Sequence, residues 1–216
     1  MIISCIGHAE FLIELENGMR IVTDPYDAGC GYPVLPLAAD AALVSHGHHD
    51  HNAIGSLTGL QQVIDRAGTY DLGDGVRVTA VEADHDDEGG ARRGKTLLFC
   101  LEAEGLRVMH LGDLGHVPTQ AQLDALGKAD VLMIPVGGFY TIDAPTATKV
   151  AGLLGARVVL PMHYRTSANA DWPIAGVEAY NSLCNEAVEF LTVLRVTAGD
   201  LSCQPTSAVL KPVSLQ

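Results

Sequence analysis

The sequence predicts an α+β fold built from two copies of one strand-rich unit, and three observations predict it. First, two hairpin patterns recur. Residues 11–15 and 20–23 flank Asn17-Gly18, and residues 96–101 and 106–111 flank Glu104-Gly105. Second, each hairpin runs into an aspartate, Asp24 or Asp113. Each is then followed by an Ala-Asp pair that opens a further strand: Ala39-Asp40 before residues 41–45, and Ala129-Asp130 before residues 131–135. Third, each of those strands leads into a glycine-bearing loop (Gly47; Gly137-Gly138), a connection and another strand. The unit reads βββαβ and recurs after about 90 residues, the signature of an internal repeat. With 216 residues, 48% hydrophobic and 18% charged, the chain is long and apolar enough for one domain over residues 1–216 with a substantial core.

The elements follow in order. Residues 1–7 read as a first strand and lack the basic region and long apolar run of a signal peptide. After the first hairpin, residues 26–37 are rich in Gly and Pro and read as a surface loop. Residues 52–59 are expected to be helical before a strand at residues 63–64, and residues 76–81 form a strand ahead of His85. Thr119 caps a helix over residues 119–126. Further helices are expected at residues 145–154 and 177–190, with a strand at residues 158–162 between them. Residues 166–174, which hold the only tryptophan, Trp172, read as a surface loop. The tail after Leu201 has the weakest pattern.

The most informative segment is Ser45-His46-Gly47-His48-His49-Asp50-His51. It contains the pattern His-x-His-x-Asp-His, and imidazole and carboxylate are ligands for zinc and similar divalent ions. Residues this close in sequence cannot share one face of a helix or strand, so the segment is a loop folded around something. It hangs from a short apolar strand, a rigid place to hold a metal.

This motif resembles that of the metallo-β-lactamase superfamily. The chain is most similar there to small metal-dependent hydrolases like L-ascorbate-6-phosphate lactonase. Supporting phrases are Gly7-His8-Ala9, Thr23-Asp24-Pro25, residues 84–94, Leu111-Gly112-Asp113, residues 134–138 and Pro161-Met162-His163-Tyr164. The resemblance implies a four-layer αββα sandwich of two pseudo-symmetric halves, with the site at one edge between the sheets. It also implies a dinuclear centre: His46, His48 and His85 on one ion, Asp50, His51 and His163 on the other, and Asp113 between them. Zinc is expected first, with manganese or iron as alternatives. Asp50 is expected to orient the attacking water and receive its proton. Asp24 and His8 are expected beside the site, Asp24 as an acceptor for a ligand imidazole.

The implied activity is hydrolysis of a small, anionic ester, lactone or phosphoester. A phosphodiesterase or nuclease of the same fold, and a metal-binding regulator without catalysis, are the alternatives. A net charge of −13 argues against a nucleic-acid partner. No apolar run reaches membrane-spanning length. The five scattered cysteines, Cys5, Cys30, Cys100, Cys184 and Cys203, suit a reducing, cytoplasmic setting. The sequence carries no reading of oligomeric state. Of the other histidines, His49 is expected to face outward and His110 to be packed and hydrogen-bonded. His116 fits either a place behind the ligands or a solvated one. The connection from His85 carries Arg92, Arg93 and Lys95 among glycines. They are candidates for binding the anionic group of the substrate, Arg93 foremost. The competing role is charge balance against Asp86, Asp87 and Glu88.

Overall fold

The computed structural model describes residues 1–184, 188–199, 201 and 206–216. In chain order its strands begin with β1 (Ile2–Gly7), β2 (Glu10–Glu14), β3 (Arg20–Thr23), β4 (Leu37–Ala38), β5 (Ala41–Leu43), β6 (Leu57–Thr58), β7 (Gln62–Ile64) and β8 (Gly68–Gly73). They continue with β9 (Val76–Asp84), β10 (Lys95–Ala103), β11 (Leu106–His110), β12 (Val131–Pro135), β13 (Val158–Met162), β14 (Val188–Leu191), β15 (Leu194–Arg195) and β16 (Thr206–Leu210). The α-helices are α1 (Gln120–Leu126), α2 (Ala144–Leu153) and α3 (Glu178–Asn181).

Alternation of apolar side chains builds two sheets that face each other. One is ordered β15-β1-β2-β3-β5-β7 and the other β14-β16-β13-β12-β11-β10-β9-β8. Every second residue enters the core between them: Ile3 and Cys5, Phe11 and Ile13, Leu97, Phe99 and Leu101, Val131 and Met133. The intervening residues of the second sheet, among them Leu98, Cys100, Leu132 and Ile134, pack outward under α1, α2 and α3. The sandwich therefore has the expected α+β architecture. Among the described residues no helix is long and apolar enough to cross a membrane.

The two halves share one topology. β1-β2-β3-β5-β7 pair antiparallel, antiparallel, parallel, parallel, and β9-β10-β11-β12-β13 repeat that series. The Ala-Asp pairs are its braces. Asp40 donates its N–H to the Arg20 carbonyl and accepts the Arg20 N–H on its carboxylate, both at 2.8 Å. Asp130 makes the same two contacts to Arg107, both at 2.9 Å. This register aligns Phe11 with Phe99 and Asp24 with Leu111. Asp113 is thus at the matching end of its half, two residues beyond the strict counterpart of Asp24.

Two helix expectations are corrected. Residues 52–59 hold one 3₁₀ turn, Ile54–Ser56, followed by β6. Gly55, Gly59 and β-branched neighbours disfavour a helix there, and Leu57 instead pairs with Leu37. The outer face of the first sheet is covered by residues 26–37 in place of a helix. Tyr26, Cys30 and Tyr32 are buried against Leu12, Val22 and Ala42, so this loop lies at the surface, as expected, but plants three side chains in the core. The helix expected over residues 177–190 stops at Asn181, residues 185–187 lie outside the described ones, and residues 188–191 form β14. Its alternating Val188 and Phe190 pair with the weakly patterned tail, β16. By contrast, α1 has the predicted Thr119 cap, as a full capping box with Gln122. Cys5, Cys30, Cys100 and Cys184 are free thiols, and Cys203 lies outside the described residues.

Candidate active site and metal centre

The ends of β1, β3, β5, β9, β11 and β13 converge at one edge of the sandwich. β5 delivers the histidine loop, in which Asn52 holds the Gly47 carbonyl and the His51 N–H donates to the His48 carbonyl. Ser45 joins the sheets: its carbonyl accepts the Leu97 N–H at 2.9 Å. Gly112, at φ +46°, lets the loop before Asp113 pass between them. A Cβ there would stand 2.6–2.7 Å from Thr96, Leu97 and Ser45. Three site residues with side chains share this left-handed backbone, His8 (φ 51°), Asp24 (φ 40°) and His163 (φ 52°). Such strain persists where surrounding contacts over-determine it, and here the His163 N–H donates to the His8 carbonyl at 3.2 Å.

All seven residues expected as metal ligands meet at this edge. Three groups of side chains could hold an ion, their ligand atoms within 4.8 Å of one another: His46, His48 and His85; His46, His51 and Asp113; and His8, Asp50, His51 and His163. Asp113 lies among the imidazoles. Its Oδ2 is 3.3 Å from both His85 Nε2 and His163 Nε2, and its Oδ1 is 3.3 Å from His51 Nε2. Buried polar atoms are nearly always hydrogen-bonded, yet His51 Nε2, His85 Nδ1, Asp113 Oδ1, His163 Nδ1 and both ring nitrogens of His8 have no hydrogen-bond partner. So many orphaned donor atoms in one place fit a site for divalent cations.

Charge is set by the neighbours. Burial lowers His46 to about 3 and His8 to about 4, which keeps both imidazoles neutral, as ligands must be. Burial opposes the charge on Asp50, but His51 and His8 hold its carboxyl well below the usual range. Asp113 is likewise burdened by burial and held low by His163 and His51. Asp24 is fully buried, and His51 and His110 outweigh that burial. Its carboxylate accepts from Ser45 N–H and Ser45 Oγ at 2.7 Å and from His51 Nδ1 at 2.8 Å. A carboxylate only accepts, so His51 carries its proton on Nδ1 and turns Nε2 toward Asp50 and Asp113.

The remaining histidines separate clearly. His110 is buried, with Nε2 at 2.9 Å from the Ala9 carbonyl. His116 braces the end of β9, accepting the Asp84 N–H and facing the Val117 carbonyl. His49 is exposed and paired with Asp27 at 2.8 Å.

A cavity of about 510 Å³ opens over the cluster, lined by His48, Asp50, His85, Asp113 and His163 below and by Arg93, Tyr140 and Trp172 on its walls. Of the three bases expected at the substrate, Arg93 alone lines this cavity. Its guanidinium lies 5.5 Å from the Tyr140 ring centroid, a cation–π contact. Among the described residues no carboxylate pairs with its side chain. Arg92 is engaged by Glu88, and Lys95 by Asp84 and Glu82. Asp86 is not a surface counter-charge. It is buried and accepts the backbone N–H groups of Glu88, Gly90, Arg92 and Arg93, which folds the loop that carries Arg93. Its place ahead of Gly89-Gly90 is the sequence signal of an Asx-type turn. Trp172, expected on the surface, is half-buried at the cavity wall. Its ring centroid lies 5.2 Å from that of His8 and 6.3 Å from that of His163. Nothing local in the sequence marks Tyr140, which reaches the wall because Gly137 allows its loop within 2.2 Å (for a Cβ) of the His163 carbonyl.

Comparison with known proteins agrees with this geometry. A family model described as a beta-lactamase superfamily domain matches residues 2–163. A UPF0173 metal-dependent hydrolase of Archaeoglobus fulgidus is 32% identical over 196 residues, covering 77% of this chain and 84% of the relative. The crystal structure of a metallo-beta-lactamase superfamily protein of Thermotoga maritima is 37% identical, with a TM-score of 0.79 and 97% of each chain covered. Igni18, a metallo hydrolase of Ignicoccus hospitalis, shares the fold at 22% identity, with a TM-score of 0.60 and coverage of 76% and 82%. A matched family, a shared sandwich and a convergent His/Asp cluster lead to one assignment: the chain belongs to the metallo-β-lactamase superfamily and is a metal-dependent hydrolase.

Proposed function

We propose that the chain hydrolyses a small anionic ester, lactone or phosphoester with two divalent ions bound at the sheet edge. The observation that carries this reading is the cavity itself. His48, Asp50, His85, Asp113 and His163 of the metal-binding cluster form its floor, and one guanidinium free of carboxylates stands in its wall. His46, His48 and His85 would hold one ion, Asp50, His51 and His163 the other, with Asp113 shared between them. Ions held there supply Lewis acidity and make a water acidic enough to lose its proton near neutral pH. The chain's own groups do the rest. Asp50, on the cavity floor, orients the attacking water and takes up its proton. Asp24 fixes the tautomer and the orientation of His51. Arg93 clamps the anionic group of the substrate, and its stacking on Tyr140 limits the orientations it can take. The cavity volume suits a ligand of metabolite size.

A hydrolysis panel of lactones, thioesters, phosphomonoesters and phosphodiesters tests the reading, with elemental analysis of the same sample. Turnover of a small anionic ester or lactone, lost on chelation, with two ions per chain, is the expected result. Less than one ion per chain at saturating zinc or manganese would refute the two-ion centre. Preference for uncharged substrates would refute the role of Arg93.

A further inference from the structure

We propose that His8 is itself a metal ligand, so that one ion of the pair is held by His8, Asp50, His51 and His163 besides its share of Asp113. This rests on the two-ion reading above and makes the two positions unequal. The other ion, with His46, His48 and His85 and a share of Asp113, has one protein ligand fewer.

Four observations converge on His8. It is only 4% exposed and belongs to one cluster with Asp50, His51 and His163. Neither ring nitrogen has a hydrogen-bond partner. Its Nε2 lies 3.3 Å from Asp50 Oδ2 without the geometry of a hydrogen bond. The two atoms belong to a group whose ligand atoms, with those of His51 and His163, all lie within 4.8 Å of one another. Ligands each about 2.0–2.1 Å from one tetrahedral zinc stand ~3.4 Å apart, as this nitrogen and oxygen do. Finally, its ring is packed beside two other members of the set, with centroids 4.2 Å from His163 and 5.3 Å from His51.

The backbone is built to hold His8 there. The residue occupies the turn between β1 and β2 at φ +51°, a conformation that costs free energy for a side chain other than Gly or Asn. Its carbonyl receives the His163 N–H, so two members of the set are tied together through the main chain. Trp172 closes over the ring edge-on and excludes water from that side. An imidazole placed only to hydrogen-bond Asp50 would not require such enclosure with its nitrogens left unpaired.

The test is metal titration of the chelated protein, with Zn²⁺ followed by calorimetry and Co²⁺ by its visible absorption. The wild type is expected to bind two ions in unequal phases, the tighter with the low-intensity absorption of a crowded, higher-coordinate ion. His8→Ala is expected to weaken that phase by at least about tenfold and alter its cobalt spectrum, leaving the other phase unchanged. His8→Gln, which can still hydrogen-bond Asp50, is expected to behave like His8→Ala. A second measurement needs no variant. In the Co²⁺-loaded wild type, paramagnetically shifted imidazole N–H resonances should number one more than His46, His48, His51, His85 and His163 supply. Wild-type affinities in His8→Ala, restoration by His8→Gln, or the absence of the additional resonance would each overturn the assignment to His8 while leaving the two-ion reading intact. Fewer than two ions in the wild type would overturn that reading, and this one with it.

Discussion

The first and second halves of the sandwich run through the same strand series and the same aspartate brace, yet they spend their loops differently. After its fourth strand, β5, the first half makes the loop that carries His46, His48, Asp50 and His51, and it has no α-helix there. After the matching strand, β12, the second half makes a glycine turn and then α2, which covers its sheet. The second half's contributions to the His/Asp cluster are His85, Asp113 and His163, each just past the end of a different strand. The first sheet, without a helix, is covered by the Tyr26–Cys30–Tyr32 segment. Topology and chemistry are thus separable. The repeat preserves backbone pairing, which any sequence with the right alternation can make, while a ligand loop and a covering helix compete for one connection.

The comparison is tested most severely at Asp50, which has no equivalent in the second half. Asp50→Asn should keep the fold and lower kcat by roughly 10²-fold or more, read alongside the ion content of the variant. Full turnover with both ions in place would remove Asp50 from the proton transfer. Next come the register partners Asp24 and Leu111, one beneath a ligand and one in the outer core. Asp24→Ala should weaken metal binding by about 10–100-fold, whereas Leu111→Ala should cost about 2–5 kcal/mol of stability with metal affinity little changed. Calorimetric titration and urea unfolding decide the pair, and equal effects on metal would mean that the two positions are not distinguished by chemistry.

Arg93 gives a smaller effect. Arg93→Ala should raise KM for the best anionic substrate by about tenfold, change kcat less and weaken inhibition by phosphate, the pattern of lost uniform binding. Arg92→Ala, whose side chain is already committed to Glu88, should leave these constants alone. The smallest effect is shared by both halves. Asp40→Ala and Asp130→Ala should each cost about 1–2 kcal/mol in urea unfolding and leave turnover unchanged. A cost in one half only would break the structural equivalence of the braces.

Much of this was legible from residues, for reasons that are physical. Hairpin turns, the Thr119 cap and the His-x-His-x-Asp-His loop are local signals, complete within a few residues, and the structure places each where its pattern predicts. The reciprocal Asp40–Arg20 and Asp130–Arg107 contacts explain why the Ala-Asp pairs marked the repeat. What failed was decided at a distance. Residues 52–59 look helical until Leu57 is needed beside Leu37, and β14 depends on pairing with β16, far along the chain. Residues 26–37 are rich in Gly and Pro, but the uncovered sheet draws Tyr26 and Cys30 inward. Arg93 stands foremost among the three bases by sequence, but the reason it lines the cavity while Arg92 does not, the Asp86 turn, is not written in the local pattern.

Trp172 has a consequence of another kind. It is the only tryptophan in the chain, and it stands beside His8 and His163. All of the protein's indole emission therefore originates at the wall of one cavity. Quenching by a paramagnetic ion such as Mn²⁺ or Co²⁺, set against the weaker response to Zn²⁺, reads out occupancy of that spot without a label. A ligand that enters the cavity changes the same signal whether or not it is turned over. The molecule carries its own optical gauge, and candidate substrates can be ranked by binding before any product assay exists.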